Sequence, residues 1–314
     1  MPELPDVTVY IEHLERRIVG TTLEDVRVAS PNLLRTAEPS LAETLGRRVL
    51  GVSRMGKRIA IHLEGGFHLV LHLMIAGRLH WKDAGDPKAS PPARPRRVDL
   101  AWFTFSTGVL SLTEASTKQR ASLHVVGTED DLRVLDPGGL EPIGSSLAAF
   151  RDALLQGNHT LKRALTDPRG LSGIGNAYSD EILHRAQLSP LRLTSQLGAE
   201  EVARLHEAVQ AVLTSWTDRL RAHYAGSFPE KVTAFREGMA VHGRYRQPCP
   251  VCGAPIQRIV YGEHETNYCP RCQTGGRLLM DRSLSRLLKE DWPRTLEELE
   301  EQKERRAAGR SGRS

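Results

Sequence analysis

All four cysteines of the chain fall within one short stretch, "CPVCGAPIQRIVYGEHETNYCPRC", as Cys249, Cys252, Cys269 and Cys272. The pattern is C-x2-C-x16-C-x2-C, two tight pairs separated by enough residues for a hairpin. No run approaches the roughly 18 apolar residues of a membrane span, and no basic segment followed by an apolar one opens the chain. This predicts a cytoplasmic protein with no membrane partner, where thiols stay reduced and disulfides are the weaker reading. Four thiolates from two turns give Zn²⁺ a closed tetrahedral shell. One structural Zn²⁺ is therefore expected, holding a hairpin at 246–280 that has too little core to fold alone. A closed shell offers no open position for chemistry.

The opposite end of the chain, "MPELPDVTVY", poses a chemical question. Proline at position 2 presents a small side chain at the cleavage point, so removal of Met1 is expected, leaving a secondary amine at Pro2. A free α-amine titrates near ~8, well below lysine, so part of it is neutral at physiological pH. A neutral amine can attack an acetal or carbonyl carbon and form an iminium, with Glu3 beside it to move protons. A proline that merely stiffens the start of a chain is the plain alternative.

Length and texture divide what lies between. At 314 residues, two ordinary domains are expected. Residues 1–133 carry a helix at about 5–18, then short alternating apolar runs broken by glycine, the mark of antiparallel strands. Within them, "DAGDPKASPPARPRR" (83–97) reads as an exposed loop. "LDPGGLEPIGSS" marks a linker, assigned to 134–149. Residues 150–245 then show apolar positions at three and four spacing, hence amphipathic helices. The zinc hairpin follows at 246–280, and a charged tail at 281–314 reads as a solvated helix that frays. The fold class is α+β multidomain.

Between two helices lies "LTDPRGLSGIGNAYSDEIL". Gly173 and Gly175 turn the backbone just before a helix beginning at about Asn176. Exposed N–H groups at such a start suit a phosphate, although most glycine turns before helices are only turns. Asn176 also admits the reading of an ordinary N-cap. A net charge of +5 and pI near 9.1 permit a polyanionic partner.

The N-terminal Pro-Glu, Lys57 in "RMGKR", His72 in "HLMIAG", "LKRALTD" leading to "GIGNAYSDE", and the final cysteine hairpin occur in one order. That order resembles the formamidopyrimidine-DNA glycosylase and endonuclease VIII family of DNA repair enzymes, over about residues 2–278. The resemblance implies an N-terminal antiparallel β-sandwich-like domain with an N-terminal helix, a helical helix-two-turns-helix domain and a four-cysteine zinc-finger β-hairpin. It implies a monomeric bifunctional glycosylase and abasic-site lyase, nucleoid-associated when bound to double-stranded DNA carrying damaged bases or abasic sites, with no organic cofactor. Pro2 would attack C1′ of a nucleotide flipped from the stack, and Glu3 would be the general acid/base. Lys57 would donate a proton in β-elimination and hold a phosphate. His72, Lys162, Ile174, Gly175 and Asn176 would contact DNA.

Several positions depart from the family pattern. The zinc hairpin has His264 where the family has an arginine, which leaves δ-elimination open because histidine lacks the bidentate fork. Ile75, beside Met74, stands at the position of the methionine that fills the gap left by the flipped base. "EASTKQRASL" replaces the family's "DPRRFG", with Lys118 and Arg120 as the nearest matches. "HYAGSFPEKVTAF" is shorter than the loop that covers oxidised guanine, and Asp6 replaces a glutamate. None of these touches Pro2 or Glu3. A non-catalytic binder of damaged DNA is the rival reading, and a zinc-ribbon RNA-binding protein explains the cysteines alone. If the basic end of the tail adds nonspecific affinity for DNA, deleting residues 303–314 will flatten the salt dependence of binding. A salt slope unchanged by the deletion makes it a passive tail.

Overall fold

The computed structural model describes residues 1–262, 264–279 and 293–302. The tail reading at 281–292 and 303–314 lies outside these residues. Two compact units are present: Met1–Glu141 with Leu213–Ala234, and Pro142–Val212 with Phe235 onward. Among the described residues no helix is long and apolar enough to cross a membrane.

In the first unit, α1 (Leu4–Ile18) places Val7, Tyr10, Ile11, Leu14 and Ile18 on one stripe, all buried. Glu3 is its N-cap residue, and the Glu3 N–H donates to Asp6 Oδ2 at 2.9 Å. Asp6 thus closes the first turn and places a negative charge where the helix dipole favours one. Pro5 occupies an early helical position whose N–H would have no partner in any case.

The strands follow as β1 (Leu23–Val28), β2 (Val49–Met55), β3 (Arg58–Leu63), β4 (Phe67–His72), β5 (Gly77–Asp83), β6 (Asp99–Phe105), β7 (Gly108–Glu114) and β8 (Ser122–Val126). They form two four-stranded antiparallel sheets, ordered β1-β6-β7-β5 and β2-β3-β4-β8. Leu79, Phe103 and Leu110 from the first sheet share one core with Ile59, Ile61 and Leu71 from the second and with the α1 stripe. This is the β-sandwich with an N-terminal helix. Each such buried side chain contributes about 1.5–3 kcal/mol, so α1 is held far more by packing than by its own propensity.

A short helix, α2 (Glu129–Leu135), covers the outer face of the second sheet, where Leu132 joins Met55, Ala60, Val70 and Val126. The sequence pattern predicts strand and linker over this stretch, and the helix replaces them.

The second unit carries α3 (Leu147–Leu154), α4 (Leu161–Thr166), α5 (Asn176–Arg185) and the start of α6 (Ala199–His223), then β9 (Gln257–Tyr261), β10 (His264–Tyr268) and α7 (Pro270–Thr274). Strands β9 and β10 pair as an antiparallel hairpin. The later part of α6 groups with the first unit because Leu220 and Tyr224 pack on Val9. Beyond it, the Phe228 ring lies 5.8 Å from that of Tyr10.

One turn in the sandwich tolerates no side chain. The Gly77 N–H donates to Leu73 O at 2.8 Å, and a Cβ on Gly77 would lie 2.3 Å from that oxygen. Gly77→Ala is therefore expected to destabilise the protein by about 1–3 kcal/mol, the usual range for overpacking. Equilibrium denaturation would measure it, and an unchanged midpoint would show that the turn opens at no cost.

Candidate active site and DNA-binding residues

Burial of α1 carries the start of the chain into the sandwich. Pro2 and Glu3 are both buried, Glu3 with only 2% of its surface exposed. The terminal amine here is that of Met1, which stands one peptide unit from the nitrogen that removal of Met1 would free. Its pKa is lowered, first by burial and then by the cations Arg78 and Lys57, while Glu3 and Asp6 oppose the shift. Desolvation favours the neutral amine, which is the nucleophilic form.

Lys57 sits in the two-residue turn between β2 and β3. Gly56, at φ +61°, opens that turn, as the first central position of such hairpins favours. The lysine is half-buried, and its charge reaches both the terminal amine and His72. His72 ends β4, opposite Arg58 on β3 and Ser122 on β8. Burial pushes its pKa down to about 4, with Arg58, Lys57 and His124 adding to the shift. His72 is thus a neutral hydrogen-bonding group at physiological pH.

After His72 the chain makes the turn that Gly77 closes. Met74 takes a left-handed conformation, φ +51°, rare for a residue with a side chain. Ile75 at its tip is 47% exposed, an apolar side chain presented to solvent. Lys118 and Arg120 are exposed on a second loop. That loop is gathered by buried Glu114, whose carboxylate accepts the N–H groups of Arg120 and Ala121 at 2.9 Å each and the Ser116 hydroxyl at 2.8 Å.

The second unit builds its own constellation. Gly173 is left-handed at φ +77°, Gly175 is the N-cap residue, and α5 begins at Asn176. Ile174 buries its side chain, so its backbone is what remains to meet a ligand. The Asn176 side-chain amide donates to Glu265 O on β10 at 2.8 Å. Asn176 therefore stands just inside the helix instead of capping it.

Lys162 on α4 donates from Nζ to Asp180 Oδ1 at 2.5 Å and to Asn176 O at 2.7 Å. Asp180 is fully buried and also accepts from the Asn267 N–H at 3.1 Å, with His242 Nδ1 at 2.8 Å. Next to it, Glu181 accepts three backbone N–H groups, those of Ala240, Val241 and His242. Asp180 and Glu181 are not among the residues the sequence singles out, and their only local signal is two adjacent acids inside a helix at "YSDEIL". Nothing local marks Glu114 or Arg78.

The four cysteine sulfurs lie within 4.8 Å of one another, Cys252 to Cys269 at 3.4 Å and Cys249 to Cys272 at 3.9 Å. A tetrahedral Zn²⁺ with Zn–S bonds of about 2.3 Å needs sulfurs about 3.8 Å apart, so the four residues fit the ion. Burial pushes the Cys269 thiol up to about 11 and raises Cys272 as well. A central dication would offset this cost and ionise the Cys269 and Cys272 thiols. His184 Nε2 approaches Cys249 Sγ at 3.3 Å, an outer contact of the kind that orients metal ligands. His264 opens β10, and its side chain lies outside the described part of the structure.

Three family models match in chain order. They are the formamidopyrimidine-DNA glycosylase N-terminal domain at residues 1–120, its H2TH domain at 139–219, and the zinc finger found in FPG and IleRS at 246–275. A formamidopyrimidine-DNA glycosylase of Heliobacterium modesticaldum is 34% identical over 286 residues, covering 87% of this chain and all of the relative. One of Thermus thermophilus is 33% identical over 285 residues, covering 88% of this chain and all of the relative. Among solved structures, the MutM (Fpg) protein of Thermus thermophilus is similar at TM-score 0.70 and 31% identity, over 87% of this chain and 98% of that one. A Lactococcus lactis FPG variant in complex with DNA containing Fapy-dG is similar at TM-score 0.73 and 26% identity, over 87% and 100%.

Because four sulfurs complete the tetrahedral shell, Cys269→Ser is expected to abolish stoichiometric zinc and to melt the β9–β10 hairpin. Zinc content by elemental analysis and hydrogen exchange of residues 257–268 would test this. Full protection in a zinc-free protein would show that the hairpin holds itself.

Proposed function

The chain belongs to the formamidopyrimidine-DNA glycosylase family, and from that premise we propose that it is a bifunctional glycosylase and abasic-site lyase working through an N-terminal proline. The coarser part of this statement, a DNA glycosylase of base excision repair with a zinc finger, follows from the family. The finer part is supported by one observation: Pro2 and Glu3 are buried at the start of α1, where burial and the charge of Lys57 lower the pKa of the chain's terminal amine.

With Met1 removed, the Pro2 nitrogen attacks C1′ of the damaged nucleotide while Glu3 delivers a proton to the sugar ring oxygen. The base leaves with the electron pair of the glycosidic bond. The amine's proton passes to the departing base, and the C1′–O4′ bond breaks with its electron pair going to the protonated ring oxygen, which opens the ring and gives an iminium between Pro2 and C1′. Loss of a C2′ proton, with departure of the 3′ phosphate, breaks the strand by β-elimination. Lys57 serves as a proton donor in this step and its charge suits a backbone phosphate. Neutral His72 is suited to a hydrogen bond there.

Ile75 is the wedge proposed for the space the flipped nucleotide leaves. Lys118 and Arg120 supply charge beside the opposite strand. In the second unit, the turn at Ile174 and Gly175 offers N–H groups to a phosphate, with the Asn176 amide beside them. Lys162 contributes less free charge than sequence reading expects, because Asp180 pairs with it. Such contacts position a duplex without reading its sequence, so the substrate class is double-stranded DNA with an oxidised base or an abasic site. His264 as donor in δ-elimination belongs to the same proposal.

Borohydride trapping on a duplex with an abasic site is the direct test. The mature protein should form a covalent adduct and nick the strand; Pro2→Gly, or protein that retains Met1, should do neither. Trapping that survives both changes would remove Pro2 from the mechanism, and binding without a nick would favour a non-catalytic binder.

A further inference from the structure

The outer face of the second sheet carries a chain of polar side chains that the proposed chemistry does not use. His62 on β3 and His68 on β4 stand directly opposite each other, on the face where Ala60 and Val70 meet Leu132 of α2. Their Nδ1 atoms are 2.8 Å apart and their rings cross at 82°. On the β2 side, Ser53 Oγ lies 2.7 Å from His62 Nε2. At the other end, buried His68 Nε2 has no hydrogen-bond partner among the described residues, and Glu129 Oε1, from the first residue of α2, stands 3.5 Å from it.

These contacts admit one arrangement of protons. A neutral imidazole has one N–H and one acceptor nitrogen, and an ionised carboxylate only accepts. A bare His68 Nε2 would set a lone pair against the Glu129 oxygen, so the proton sits on that nitrogen. His68 Nδ1 then accepts from the His62 Nδ1–H, and His62 Nε2 accepts from the Ser53 hydroxyl. One further proton fits at His62 Nε2, because the hydroxyl can turn from donor to acceptor. A second does not, since it would place two N–H groups head to head across 2.8 Å.

We propose that Ser53, His62, His68 and Glu129 form a proton-limited latch on the start of α2, which holds with at most one added proton and opens when a second enters. The two histidines act on each other, and Glu129 is the other titratable group acting on them. Strand β2 contributes the Ser53 hydroxyl, while His124 of β8 answers to Arg58 and Arg35. Burial lowers the pKa of both rings, which keeps the pair neutral at physiological pH. Both bind protons less readily than in the unfolded chain, so the latch contributes its full stability above the ordinary histidine value of about 6.5 and loses it as pH falls through the folded values. The other parts of α2 carry the effect further. Leu132 packs on Met55, and Leu135 O accepts from Arg58. Met55 and Arg58 bracket Gly56 and Lys57, so release of α2 reaches the turn that carries Lys57.

Nitrogen NMR of the zinc-loaded full chain, with ¹⁵N-labelled histidine, reads the arrangement directly. At neutral pH His62 should be the Nδ1–H tautomer and His68 the Nε2–H tautomer. On acidification His62 should charge first, and His68 should stay neutral until amide exchange in residues 129–135 rises with the sandwich strands still protected. Once His62 is charged, the opening takes up one proton, so exchange corrected for its intrinsic pH dependence should rise about tenfold per pH unit. Glu129→Gln should lower the His68 midpoint. His62→Gln, whose amide oxygen can accept from a charged His68, should raise it; if that variant fails to fold, the wild type and Glu129→Gln still decide. The same tautomer on both rings, two charged rings with α2 still protected, protection lost only together with the whole sandwich, or a His68 midpoint unmoved by Glu129→Gln would each overturn the proposal.

Discussion

Burial of the apolar stripe of α1 against the sandwich core is the constraint on which the candidate active site depends. The helix begins at Leu4, so packing Val7, Tyr10 and Leu14 carries Pro2 and Glu3 out of solvent. Desolvation is accordingly the largest influence on the terminal amine. An amine on a frayed terminus would spend most of its time protonated and mobile. Here the same contacts that stabilise the fold hold the start of the chain and favour the neutral amine that the proposed mechanism requires. The cap between the Glu3 N–H and Asp6 adds direction, because it sets where the Glu3 backbone enters the helix. Asp6 is thereby explained without a ligand: its shorter side chain closes the helix turn.

Much of this architecture is legible in the sequence, and the illegible part has a common cause. Period-two runs mark the strands, three-and-four spacing marks α3 to α6, and the cysteine spacing marks the metal hairpin, because each pattern lies within a few neighbouring residues. Helix α2 escapes because seven residues hold barely two turns. Its only local mark is Thr128, which caps it ahead of three acidic residues. Glu114 reads as the end of a strand, yet its carboxylate organises residues two to seven positions later. Lys162 reads as a cation free for phosphate, and its neutralisation depends on an aspartate eighteen residues on. In each case the decisive partner arrives through folding, which no local pattern records.

In the second unit, buried Asp180 gathers what the sequence keeps apart. One of its oxygens meets Lys162 from α4, and the other meets His242 and the backbone of Asn267 on β10. A lone buried carboxylate would cost several kcal/mol, so these partners are conditions of its presence as well as consequences. Asn176 reaches the same strand through Glu265 O. The start of α5 is thus joined to the hairpin at two points four residues apart on the helix. The hairpin in turn has little core beyond its cysteines, with Ile256, Ala254 and Val241 around them. The zinc site, though closed to chemistry, therefore bears on the turn at Ile174 and Gly175. It holds β10 in place, β10 holds Asn176 and completes the shell of Asp180, and Asp180 fixes Lys162 against the first turn of α5. A metal at the four cysteines would thereby help set the geometry of the turn that opens α5.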